Sequence, residues 1–244
     1  MATPTQSWYS SWFDTPYYHI LYKDRDHNEA HDFMRNLVRF LELKKGASIL
    51  DLACGKGRHS IYLNKLGFDV TGADLSGNSI AFAKQFENET LHFEKHDMCE
   101  PFGKRFDAVF NLFTSFGYFE NPEDNLRTIK AIKTDLKPNG FGVIDFMNVD
   151  FVIENLVPSE TKSRKGIDFH IERWVENGFI FKQIDFQDEG ENFSFTEKVK
   201  ALHLKDFQTY FEEAEVELEH VFGDYDLHDF DKESSPRLIL IFRQ

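Results

Sequence analysis

The chain of 244 residues has only two cysteines, Cys54 and Cys99. That excludes a disulfide framework and a cysteine-built metal cluster. Positive charge is scarce as well: 28 Lys and Arg stand against 42 Asp and Glu, for a formal net charge of −14. A surface of that sign repels phosphate backbones, and no lysine- or arginine-rich block offers a local exception, so no nucleic-acid partner is expected. No apolar run approaches the roughly 20 residues of a membrane span. The opening MATPTQSWYSSWFDTPYY lacks a basic stretch followed by an apolar core, so no secretory signal is read there. A soluble, cytoplasmic protein with no membrane partner is the expectation, and neither internal repeats nor low-complexity linkers are evident.

What the chain has in excess is phenylalanine, 27 residues within a hydrophobic fraction of 41%. This suffices for a sizeable core, and core packing is the first reading of the excess. The length fits one large α/β domain, with or without a modest insertion.

Residues 28–43 place Phe33, Leu37, Phe40 and Leu41 at helical spacing. ASILDLA then reads as a buried strand, and GRHSIYLNKLG as a helix closed by Gly67. FDVTGAD is a second strand, followed by Ser76 as N-cap of the helix GNSIAFAKQFEN. TLHFEKHD and FDAVFNLF are the third and fourth strands. NPEDNLRTIKAIKTDL is a helix with proline at its start, and GFGVIDFMN is a fifth strand after the turn KPNG.

Past Asp150 the rhythm changes. GIDFHIERWVE, GFIFKQIDFQDE and NFSFTEKVKALHL read as an antiparallel meander with NG and EGEN turns. A helix over about 205–214 follows, then two strands, EVELEHVFG and SPRLILIFRQ, as a terminal hairpin. The expected fold class is α/β, a Rossmann-like doubly wound sheet of seven strands. It has an antiparallel C-terminal strand and a small antiparallel β insertion after the fifth strand. Ligands on such sheets bind outside the carboxyl ends of the strands, at the switch point.

The chemistry concentrates in ILDLACGKGRHS. Asp51 closes the first strand, and its carboxylate can orient the loop or accept from an ammonium. Gly55 and Gly57 let the backbone turn sharply and approach a ligand where a Cβ would intrude. A dinucleotide fingerprint wants a third glycine three residues on, and Ser60 stands there instead. Asp74, 17 residues after Gly57, can accept both hydroxyls of a ribose. On these residues alone, a nicotinamide dinucleotide and other nucleoside ligands both stay open.

ILDLACGKGRHS, VTGADLS, HDM, FDAVFNLFTSFGYFE and LKPNGFGVIDFMN together resemble the successive motifs of class I S-adenosylmethionine-dependent methyltransferases. They stand in family order over residues 46–148. The ending VFGDYD…ESSPRLILIF is similar to that of bacterial members with small-molecule acceptors. The resemblance implies S-adenosyl-L-methionine as cofactor. The backbone at Ala53, Gly55 and Gly57 would border its methionine part, with Asp51 holding the loop and the amino group. Asp74 would bind the ribose and Leu75 the adenine face, with Asp97 and Met98 at the adenine edge. Asn111, Leu112 and Phe113 would lie beside the sulfonium.

YYHILYKDRD resembles the lid of glycine N-methyltransferase-like enzymes, so Tyr22 and Arg25 would hold the cofactor carboxylate, with Tyr18 as the substitute for Tyr22. For Arg25, a surface salt bridge in the charged run 23–29 is an equal reading.

On this resemblance the chain is one methyltransferase domain, 1–244. Residues 1–45 form a helical lid, 46–148 the cofactor half, 150–203 the insertion, and 204–244 the last helix and hairpin. The insertion's aromatics, Phe169, Trp174, Phe179, Phe181, Phe186, Phe193 and Phe195, would line either an acceptor pocket or a homodimer interface. The fourth strand ends in NLFTSFGYF and not in the Pro-Pro-aromatic motif of base-modifying relatives. With the acidic charge, that implies a small-molecule acceptor. Methyl transfer needs alignment more than a covalent nucleophile, so no catalytic residue is singled out. His59 is read as a packing residue, and no metal site is expected. Two other readings stay open, an NAD-dependent oxidoreductase and a non-catalytic cofactor-binding protein of methyltransferase-like fold.

Overall fold

The structure, a computed structural model, describes residues 12–22, 27–119 and 121–244. Its elements in chain order are α1 (Pro16–Leu21), α2 (His27–Phe40), β1 (Ser48–Leu52), α3 (Arg58–Lys65), β2 (Asp69–Asp74) and α4 (Gly77–Ala83). Then come β3 (Leu91–Lys95), β4 (Phe106–Asn111), α5 (Pro122–Asp135), β5 (Leu136–Met147) and α6 (Val149–Glu154). The meander is β6 (Ser159–Arg164), β7 (Ile167–Glu176), β8 (Phe179–Asp188) and β9 (Glu191–Lys200). The chain closes with α7 (Leu204–Ala214), β10 (Glu217–Phe222) and β11 (Arg237–Arg243). Packing sorts these into two compact units, one of residues 12–22 with Val152–Ala201, the other of the described residues from 27 to 151 with Leu202–Gln244.

The larger unit is a seven-stranded sheet in the order β10-β11-β5-β4-β1-β2-β3. The first five strands are mutually parallel. β11 runs antiparallel to both β5 and β10, which is the expected doubly wound sheet with an antiparallel last strand. Local signals explain the helices. The Ser76 hydroxyl accepts the Ser79 N–H at 3.0 Å to cap α4, and Asn121 caps α5 ahead of Pro122. One face of the sheet is covered by apolar stripes of α2, α3 and α4, including Phe33, Leu37, Leu63 and Ile80. On the other, Phe207 of α7 packs on Phe116 and on Phe146 of β5.

Phe93 of β3 fixes how closely these layers approach. A Cβ on Gly72 would stand 2.6 Å from its ring, and one on Gly57 only 2.4 Å away. The fifth strand is longer than the sequence suggests. KPNG is no free turn but the irregular start of β5, with Asn139 at φ +65° and a register shift against β4.

The smaller unit is the sheet β6-β7-β8-β9. Its first strand, SETKSR, is absent from the sequence-based expectation because it carries no hydrophobic alternation. Three two-residue loops join the strands: Lys165-Gly166, Asn177-Gly178 and Glu189-Gly190, all six residues at positive φ. Two consecutive positive-φ residues make the turn whose twist matches a hairpin. One face carries Phe169, Ile171, Ile184 and Phe186, packed under Trp12 and Leu21 with Tyr17, Phe193 and Phe195 around them. The segment 1–45 is therefore divided: α1 belongs to this sheet's core and α2 to the larger unit. Among the described residues, no helix is long and apolar enough to cross a membrane.

Gly72 tests the wedge directly, since its φ is ordinary and only space forbids a side chain. Gly72→Ala should cost about 1–3 kcal/mol in urea unfolding. Phe93→Leu in the same chain should recover part of that loss; additive losses would contradict the wedge.

Candidate functional site

The strand order reverses between β1 and β4, so the crevice at their carboxyl ends is where this fold places a ligand. β1 delivers Asp51, which is 3% exposed. The Ser60 hydroxyl donates to Asp51 Oδ2 at 2.6 Å. Ser60, which the sequence marks only as a failed third glycine, is thus the partner of the buried acid. Burial pushes the Asp51 carboxyl from 3.8 up to about 7, with nearby Asp74 adding to the shift and Ser60 opposing it.

The loop beyond Asp51 turns through Ala53, Gly55 and Gly57 at φ +59°, +55° and +78°. It is anchored to β2 by Cys54 N–H on the Ala73 carbonyl at 3.0 Å. The two glycines do different jobs. A Cβ on Gly55 would meet nothing within 4 Å, so that face of the loop is open. Gly57 was expected to let a ligand approach, yet the space of its missing Cβ is filled by Phe93. Its glycine serves packing of the loop on the sheet.

Asp74 ends β2 and ties the loop to α4. Its Oδ2 accepts Gly55 N–H and its Oδ1 accepts Ser76 N–H, both at 2.8 Å. Each carboxylate oxygen has a second lone pair, which is what a pair of ribose hydroxyls would use. Leu75, next along, is 42% exposed, an apolar shelf left uncovered by the chain itself. Asp97 Oδ1 accepts the Cys99 N–H at 3.0 Å, shaping the turn after β3.

Met98 points at β4, its sulfur 3.6 Å from Asn111 Nδ2. The same Nδ2 faces the Leu52 carbonyl at 3.4 Å, which fixes the orientation of the amide. Asn111 is fully buried, and its Oδ1 has no hydrogen-bond partner among the described residues. Leu112 is 4% exposed behind it. The Phe113 ring lies 4.2 Å from that of His59, and the Arg58 guanidinium donates to His59 Nε2. His59 is accordingly a packing residue with its Nε2 lone pair occupied.

These residues fit S-adenosylmethionine. The open face at Gly55, the acid between loop and helix, the exposed Leu75 and the orphaned Asn111 acceptor are features such a ligand would complete. Tyr22 falls in the smaller unit. Its hydroxyl donates to Glu197 Oε1 at 2.6 Å and accepts from Lys182, whose ammonium lies 4.4 Å from the ring centroid. The hydroxyl's single proton is thereby committed to a carboxylate of the chain. The Tyr18 ring lies 4.8 Å from that of Tyr22, tilted by 56°, and Arg25 lies outside the described residues.

The insertion's aromatics divide. Phe169, Phe186, Phe193 and Phe195 are in the core under α1, whereas Trp174 stacks on Phe181 at 5.1 Å on the opposite face, with Phe179 beside them. Sequence reading missed Asp145, Tyr225 and Arg237, which meet at the end of β5. Their signal was an acid inside the apolar run VIDF and an arginine opening RLILIF. A depression of about 330 Å³ borders the glycine loop on its α3 side, lined by His31 of α2, Lys56 of the loop, Arg58, Tyr62 and Lys65 of α3, and Phe82. No group of three or more His, Cys, Asp or Glu among the described residues is arranged to hold a metal.

The raised Asp51 carboxyl makes stability depend on pH. Between pH 4 and 7 the folded chain holds a proton there that the unfolded chain has lost, so this group's contribution falls as pH rises through that window. Asp51→Asn never ionises yet still accepts from Ser60. It should melt on the order of 5 °C above wild type at pH 8, with the gap closing toward pH 4. A gap that is the same at both pH values would contradict the assignment.

Known proteins bear directly on this geometry. The sequence profile of a methyltransferase domain family matches residues 25–221. The putative methyltransferase YqeM of Bacillus subtilis is 37% identical over 123 residues, covering 49% of each chain. The glycine/sarcosine N-methyltransferase of Aphanothece halophytica is 30% identical over 162 residues, 62% of this chain and 60% of that one. The chain thus spans half to three-fifths of the length of these curated relatives. In fold, an S-adenosylmethionine-dependent methyltransferase from Clostridium acetobutylicum superposes with a TM-score of 0.78 at 19% identity, over 93% of this chain and 95% of that one. A profile match running from before α2 to the end of β10, on a seven-stranded sheet of this order, places the chain in the methyltransferase domain family.

Proposed function

We propose that the protein transfers a methyl group from S-adenosylmethionine to a small-molecule acceptor. The observation that carries this reading is the glycine loop: its Gly55 face stands open while Asp74 clasps its amide, at the switch point of the sheet. Bound there, the cofactor would supply a sulfonium methyl, an electrophile with a good leaving group. The chain's part is to hold and align. Asp51 and the loop amides would seat the amino-acid end, Asp74 the ribose, and Leu75 with Asp97 and Met98 the adenine. Asn111, Leu112 and Phe113 would border the reacting end and exclude water. The acceptor lone pair needs alignment, and no general base is required by this scheme.

A small acceptor is supported by the acidic charge and by NLFTSFGYF after the fourth strand. A relative that methylates glycine and sarcosine points the same way. Free thiols at Cys54 and Cys99 suit the reducing cytoplasm, where we place the protein. The Trp174–Phe181 stack, with Trp174 37% exposed, supports a homodimer through the insertion.

Isothermal titration with S-adenosylmethionine and S-adenosylhomocysteine tests the cofactor, and labelled methyl transfer into a small-molecule cell extract tests the acceptor class. Saturable binding is expected, with Asp74→Ala weakening it at least about tenfold, equivalent to ~1.4 kcal/mol. Folded protein that gives no heat at millimolar cofactor would sink the proposal.

A further inference from the structure

Just beyond Asn111 the backbone adopts a conformation that L-residues avoid. Phe113 and Thr114 both sit at φ +60°, and neither is glycine. For a β-branched residue such as Thr114 this is a true outlier. Such strain persists only where the surroundings over-determine it.

Here one carboxylate does so. Asp145, fully buried near the end of β5, accepts the Phe113 N–H at Oδ2 (2.7 Å). Its main-chain carbonyl accepts the Thr114 N–H at 3.0 Å. Arg237, the first residue of β11, sets Nε and Nη2 on Asp145 Oδ1 at 2.8 and 2.6 Å. The same Nη2 reaches Thr114 Oγ1 at 2.9 Å. The Tyr225 hydroxyl adds a longer contact to Asp145 Oδ2 at 3.4 Å, and its ring lies 5.4 Å from the guanidinium. The Tyr118 hydroxyl closes the loop on the Thr114 carbonyl at 2.5 Å. Held this way, the Phe113 ring is fixed between Phe33, His59 and Tyr225.

A buried ion pair is weak evidence for stability, since apolar residues of like volume often serve as well. Direction is what it adds. The two oxygens of Asp145 point to two different elements, and the planar fork of Arg237 joins the carboxylate to the loop hydroxyl. We infer that Asp145 and Arg237 are positioning residues for methyl transfer, holding the Phe113–Thr114 turn and the loop behind it in the shape that aligns the acceptor. This rests on the methyltransferase reading above.

Thr114 separates positioning from scaffolding. Thr114→Val keeps the branched shape and leaves the Asp145–Arg237 pair intact, removing only the hydroxyl that Arg237 grips; Thr114→Ser restores it. S-adenosylhomocysteine affinity, labelled methyl transfer and hydrogen exchange of amides 113–118 are measured on both, and on Arg237→Lys, which keeps the charge without the fork. The expected result is cofactor affinity within about twofold throughout. Transfer should fall at least about tenfold in Thr114→Val and Arg237→Lys, with most of the rate kept in Thr114→Ser and exchange faster in Arg237→Lys. Wild-type transfer by Thr114→Val, or an equal loss in Thr114→Ser, overturns the inference. If wild type transfers no label, the methyltransferase reading fails separately. In that case unchanged exchange at Phe113 and Thr114 in Arg237→Lys refutes the clamp itself.

Discussion

The functional end of the larger unit depends on carboxylates taken out of water. Asp51, Asp74 and Asp145 stand at or near the carboxyl ends of β1, β2 and β5, and Asp51 and Asp145 are almost wholly buried. A buried carboxylate is costly unless donors surround it. The donors come from the loops and the elements that flank them: Ser60 in the first turn of α3 for Asp51, Gly55 and Ser76 amides for Asp74, the Phe113 amide and Arg237 at the start of β11 for Asp145. The bonds that make the charges tolerable are therefore the bonds that give the loops their shape. At the opposite end of the sheet Asp107 plays a purely structural version of this part, gathering Ser48 and Lys137 so that the starts of β1, β4 and β5 stay together.

Strain and packing are divided between the two sides of the crevice. On the β1 side, Phe93 presses the loop onto the sheet through the missing Cβ atoms of Gly57 and Gly72. On the β4 side no glycine relieves the turn at Phe113 and Thr114, and polar contacts carry it instead. Ala53, also left-handed, sits on the first side with its amide neighbours tied to β2. Non-glycine residues in this region cluster where a backbone must be held in one shape.

Much of this was legible in the sequence. The parallel strands β1, β2 and β4 are largely buried on both faces and read as apolar runs, and the cap Ser76 and the proline at 122 mark helix starts. The motif acids landed on strand ends because each closes such a run. The unreadable parts share one physical cause, that their partners are remote or their own pattern is blank. β6 carries no apolar alternation, so nothing in SETKSR announces pairing with β7. Asp145 and Arg237 are 92 positions apart, and no local periodicity links them. Tyr22 looked like a ligand residue by its neighbourhood in the chain, yet its hydroxyl lies against Glu197, 175 positions away. Gly57 looked like Gly55, and only the ring of Phe93 distinguishes their roles.

The smaller unit closes with a contact that spans most of the chain: the Trp12 indole donates to Glu197 at 2.8 Å across 185 positions. The three tight turns of the meander are local and can form as soon as their own strands exist. The core under them cannot, because Trp12 and Leu21 fill it from the other end of the sequence. At ribosomal speeds of about 5–20 residues per second, Trp12 emerges on the order of ten to forty seconds before Glu197 is made. Through that interval the aromatic segment around α1 has no sheet to cover. During synthesis that segment stays open to capture by a chaperone, although in the finished protein Trp12 and Leu21 are buried.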